Sequence, residues 1–150
     1  MTTVVKTTFF SLGIGFSIEV VNIWLESSFL HKFLENNLVT ILVALLAINA
    51  ATMGIVLTKV MDIVDKNNGD GIHCFSSTKS QMLLSVKEQI IIIILSIALL
   101  ILTSSPVVQE IKNAELLLNS AITACFIYSL SILYDTAKGI LIIVNFNNEK

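Results

Sequence analysis

Arginine is absent from this 150-residue chain, and its nine lysines are outnumbered by eleven acidic residues, for a net charge of −2. This excludes the basic footprint of a nucleic-acid binder and the planar forks that grip phosphate. Charge of either sign is scarce, at 13%, where a globular domain carries about a quarter. The single proline, Pro106, lies at the edge of an apolar run, so it breaks none of them at its centre. Of the two cysteines, Cys74 falls in a polar connection and Cys125 inside an apolar run. Their different depths exclude a bridge, and the pair carries no redox message. His73-Cys74 has no further His or Cys beside it, too few ligands for a metal, and nothing in the chain calls for a cofactor.

Apolar residues fill the space that charge leaves. They make up 55% of the chain, and the mean hydropathy is +0.86. Asn36–Thr58, Gln89–Gln109 and Leu116–Tyr134 contain no charge, and each approaches the roughly 20 residues a helix needs to cross a hydrocarbon core. Without water, only helices or closed barrels satisfy the backbone. The expectation is one all-α integral-membrane domain over 1–150, with four spans at about 9–30, 37–59, 88–108 and 115–136. The bilayer is its first partner. The N-terminal apolar region carries Lys6 but is interrupted by Glu19 and lacks a small-x-small cleavage site, so it reads as a retained span and not as a removable signal.

Periodicity argues that the first segment spans. A wedge about 80° wide holds Thr8, Leu12, Gly15, Glu19, Asn22 and Glu26, while the rest of the circumference is almost entirely apolar. A surface helix would show a broad face rich in basic residues; this stripe is narrow and acidic. Four spans with both termini inside place Lys6, Lys59, Lys66, Lys79, Lys87, Lys138 and Lys150 in the cytoplasm and leave only Lys32 and Lys112 outside. The lysines therefore predict an N-in, C-in protein. A three-span version with the first helix on the outer surface is the alternative.

Glu19 falls near the middle of the expected first span, where an ionised carboxylate costs about 2.5–3.5 kcal/mol or more. No lysine shares that depth. Gly15, Glu19, Asn22 and Glu26 are thus candidates for lining a proton or cation path, and a neutral Glu19 bonded to neighbouring hydroxyls is the structural alternative. In LLAINAATMGIV, the spacings Ala47/Ala51 and Ala50/Gly54 form the small-xxx-small pattern of close helix contacts, with Asn49 beside it. Gln89, Ser96 and Thr103 recur at heptad spacing, and Ser120, Ala124, Ser131, Asp135 and Lys138 share a face on which Asp135 can pair with Lys138. These residues are the expected packing seams, and the Ile-rich run QIIIIILSIALLIL is expected to face lipid.

The inner loop, 60–87, extends the apolar pattern of the second span through Val60, Met61, Ile63 and Val64, and prefixes the third with Met82, Leu83 and Val86. It predicts a short cytoplasmic helical hairpin, with Ser77 or Thr78 as N-cap, able to dock a cytoplasmic protein or to close the bundle. DKNNGDG, Asp65–Gly71, fails as a calcium loop because its glycines are displaced by one residue and Ser76 stands where Glu is required. Tyr134-Asp135 and Gly69-Asp70-Gly71 occur in the wrong order for an intramembrane aspartyl protease. No enzyme signature remains.

In size, in four spans, and in LENNLVTILVALLAINAATMGIVLTKV followed by a charged loop, the chain resembles small bacterial membrane proteins of phage exclusion and defence, such as the RexB exclusion protein or the membrane subunit of the Kiwa system. The resemblance implies a membrane-embedded oligomer of the bacterial inner membrane that senses infection or depolarises the cell. Glu19 also resembles, in kind, the first-helix glutamate of small multidrug-resistance transporters, which are shorter and have shorter loops. Three functions follow as expectations: a homo-oligomeric ion-permeable assembly, a proton-coupled transporter of small cations using Glu19, and a structural or sensing subunit that anchors a cytoplasmic partner at 60–87.

Overall fold

The computed structural model describes residues 2–66, 72–111 and 113–148, with side chains described at 4–61, 79–108, 110–111 and 113–139. Among these residues every regular element is a helix: α1 (Thr2–Trp24), α2 (Phe29–Lys66), α3 (Ile72–Thr103), the single turn α4 (Pro106–Gln109) and α5 (Ala114–Asn148). Four of them are long and apolar enough to cross a membrane, over Val4–Trp24, Phe29–Met61, Lys79–Thr103 and Ala114–Gly139. The exposed surface of these helices is largely apolar, with Phe9, Ile55, Ile94 and Ile101 each more than 60% exposed. Water would not tolerate so large an apolar surface, but lipid does. The Ile-rich run behaves as expected, since Ile90, Ile91, Ile94, Leu95 and Ile97 all point outward.

Helix ends differ from the sequence expectation in an instructive way. α1 stops at Trp24, six residues before the expected boundary, because the chain closes a Schellman turn: Ser27 N–H donates to the Asn22 carbonyl (2.9 Å) and Glu26 N–H to that of Ile23 (3.1 Å). The residue at the left-handed position is Glu26, with φ 51°, where glycine is usual. Glu26 is therefore an exposed turn residue outside the span, which corrects its place on a conducting stripe. The strain predicts that Glu26→Gly stabilises the fold by about 1 kcal/mol, read as a higher melting temperature in detergent; an unchanged or lower one would refute it.

α2 begins at Phe29 instead of Asn37, its first turn seeded by Lys32 N–H to the Ser28 carbonyl (3.1 Å). His31 and Glu35 approach to 3.8 Å on that opening turn. α3 ends at Thr103 instead of 108, because Pro106 suits the first turn of a new helix and not the continuation of an old one. Ser77 and Thr78 lie inside α3, whose helix starts at Ile72, so neither caps it. The hairpin expected at 60–87 is helical on both arms; its tip, including most of DKNNGDG, lies outside the described residues.

α5 organises the bundle. Half of its membrane-length window is buried, against 17%, 22% and 11% for α1, α2 and α3. α2, α3 and α5 pack pairwise around Leu34, Leu38, Leu42 and Ile122, while α1 is held chiefly by α5. The α1–α5 seam depends on Gly15. A Cβ there would lie 2.6 Å from the Ser120 carbonyl oxygen and 2.9 Å from the Ala124 nitrogen, so the two backbones nearly touch.

Candidate functional site

Membrane interiors reward buried polar groups that find partners within the bundle, and this chain buries several. Asn49 and Gln89 join α2 to α3 through Asn49 Nδ2–H to Gln89 Oε1 (2.8 Å), with Ser85 Oγ also accepting from Asn49 Nδ2 at 3.2 Å. Ser96 is fully buried and lies against the Cys125 thiol of α5. Thr103 is half-buried and bonds the Leu99 carbonyl. Thus Asn49, Ser96 and Ser120 fill seams as expected, and Thr103 lies at the edge of one.

The small residues of α2 do otherwise. Ala47, Ala50, Ala51 and Gly54 all lie on its exposed face, and nothing approaches within 4 Å of where a Gly54 Cβ would sit. Leu38, Leu42, Leu45, Asn49, Met53 and Val56 take the buried face instead. The small-xxx-small pattern therefore joins no helices within this chain. Asp135 and Lys138 are both exposed, and no ion pair joins them among the described residues.

Glu19 is 7% exposed. It lies five residues before Trp24, about 8 Å from the C-terminal end of α1 by helical rise. It receives two long hydrogen bonds of 3.4 Å: Asn22 Nδ2–H to Oε2 from one turn ahead, and Asn119 Nδ2–H to Oε1 from α5. No lysine or histidine pairs with it among the described residues. The Asn119 carboxamide oxygen is buried and has no donor. Both carboxylate oxygens are thus served by carboxamide N–H groups, while the Asn119 oxygen is left without a donor.

A second carboxylate lies deeper toward the N-terminal side. Tyr128 of α5 donates its hydroxyl to Glu88 Oε2 of α3 at 3.2 Å, and Thr8 of α1 also engages that hydroxyl. Asn119 and Tyr128 are nine residues apart on α5, about 13 Å along its axis. Between them, Ser11 is 1% exposed with an unpartnered hydroxyl, beside a cleft of ≈ 230 Å³ bounded by Thr8, Ile92, Leu99, Cys125 and Tyr128. Of the stripe proposed from periodicity, then, Gly15 and Glu19 meet α5, Asn22 bonds to Glu19 on α1 itself, and Glu26 lies in the turn beyond them.

Periodicity did not reveal Asn119, Glu88, Tyr128 or Ser11. Glu88 opens the expected third span, just before a charge-free run; Asn119 and Thr123, an i, i+4 polar pair inside the last run, are the available signal.

No family model, curated protein or solved structure matches this chain.

Proposed function

We propose that this is a non-enzymatic membrane protein that binds and passes protons through a single four-span bundle, with Glu19 as the outer proton-binding carboxylate and Glu88–Tyr128 as the inner one. The observation that carries the reading is Glu19 itself: buried, served only by carboxamide hydrogens, and set beside an Asn119 oxygen that lacks a donor. An ionised Glu19 accepts from Asn119 Nδ2, as in this structure. A protonated Glu19 becomes a donor, and a half-turn of the Asn119 amide offers it the orphan oxygen. Either state is hydrogen-bonded, so the site suits a group that changes protonation.

The geometry favours this over an oligomeric pore lined by α1, because the acidic stripe is spent on α5 inside the chain. With the N-in, C-in orientation that the lysines indicate, Glu19 opens toward the outer face and Glu88 toward the cytoplasm. The test is proton flux into vesicles carrying the purified protein under an imposed pH gradient. Glu19→Gln is expected to lower the flux at least tenfold, and Glu88→Gln likewise. Flux unchanged in Glu19→Gln at matched protein density would end this reading.

A further inference from the structure

On the flank of α1 away from the Ser11 cleft, a groove of ≈ 350 Å³ runs between α1 and α5. Its size falls within the roughly 300–1,000 Å³ of small-ligand sites. Phe10 and Tyr134, 62% and 68% exposed, stand at its walls, Asp135 and Ser131 supply oxygens, and Thr7, Ile127 and Leu130 complete the lining.

Its polarity is ordered along the membrane normal. Asp135 follows Ala114, the first residue of α5, by 21 positions, about 31 Å by helical rise, which places it at the edge of a hydrocarbon core about 30 Å thick. Ser131 lies one turn deeper, and Leu130 and Ile127 deeper still. The charged end of the groove is at the bilayer surface and the apolar end is in the acyl region, the same gradient a phospholipid presents.

The headgroup charge follows from the same residues. Among the described residues no cation pairs with the exposed Asp135 carboxylate, and the Ser131 hydroxyl gives its proton to the Ile127 carbonyl (3.0 Å), leaving its oxygen as an acceptor. Two acceptors beside two aromatic rings suit an ammonium, which donates up to three hydrogen bonds and is attracted to ring faces.

We propose that this groove binds a phospholipid of the bilayer whose headgroup carries a primary ammonium, with Asp135 and Ser131 receiving the ammonium and Ile127 and Leu130 meeting its upper chain. The site is independent of the proton path.

The experiment is native mass spectrometry of the full-length protein equilibrated with equal amounts of phosphatidylethanolamine, phosphatidylcholine and phosphatidylglycerol of matched chains. The proposal expects several-fold greater retention of phosphatidylethanolamine than of either other lipid, lost in Asp135→Asn and kept in Asp135→Glu. Glu35→Gln, an exposed carboxylate near the opposite end of the bundle, should keep the preference. Equal retention of the three lipids, phosphatidylcholine held as well as phosphatidylethanolamine, or a preference that survives Asp135→Asn would each overturn it.

Discussion

Gly15→Leu is expected to release α1 from the rest of the bundle, and Gly15→Ala to weaken the same contact by about 1–3 kcal/mol. The atoms that a new Cβ meets decide the magnitude. At 2.6 Å from the Ser120 carbonyl oxygen and 2.9 Å from the Ala124 nitrogen, it collides with backbone, which cannot swing aside as a side chain would. α1 has few other attachments, because its packing is concentrated on α5. Loss of this seam therefore removes Glu19 from Asn119 as well. Gly54 supplies the control: open space surrounds its missing Cβ, so Gly54→Ala should be neutral or stabilise by roughly 0.5–1 kcal/mol through helix propensity. Melting temperatures in detergent, together with a cysteine cross-link between α1 and α5, check both. If Gly15→Ala melts with the wild type and cross-links equally well, α1 does not dock as described.

Composition alone revealed the all-helical, lipid-exposed class, because a shortage of charge and long apolar runs are global properties that tertiary detail does not alter. The boundaries were less legible. Hydropathy placed the end of the first span near residue 30, since Leu25, Phe29 and Leu30 continue the apolar pattern; the reversal is a backbone event at Glu26, a residue with no preference for positive φ. α2's small residues meet no other helix among the described residues, for a physical reason. A small-xxx-small pattern says that a close approach is permitted, and not which neighbour makes it. The α2–α3 and α2–α5 contacts instead use the leucine face centred on Leu38 and Leu42. At the site, the acidic wedge correctly grouped Gly15, Glu19 and Asn22 on one face, because helical spacing fixes that grouping. The partner that gives Glu19 its chemistry, Asn119, is 100 residues away in sequence, and no periodicity within α1 could point to it.

Glu19→Gln should separate stability from function. An ionised carboxylate buried in a membrane-length helix is disfavoured, and here it is offset by two long hydrogen bonds from neutral amides. Glutamine keeps an acceptor for Asn119 and an amide to offer its orphan oxygen, while removing the charge. The variant is therefore expected to melt at or above the wild-type temperature and yet lose proton flux. Asn119→Leu should do the reverse to the fold: it withdraws the α5 donor from a buried carboxylate and costs about 1–3 kcal/mol. In the Glu19→Gln background the same substitution should cost less, because a neutral amide suffers less than a charge from losing a partner, and the difference measures how strongly the two side chains are coupled. Were Glu19 only a clamp between α1 and α5, the pattern would invert: Glu19→Gln would lower the melting temperature in step with Asn119→Leu, and any loss of flux would follow the loss of fold. A bundle that is as stable without the charge, but no longer passes protons, has kept Glu19 for its protonation and not for its packing.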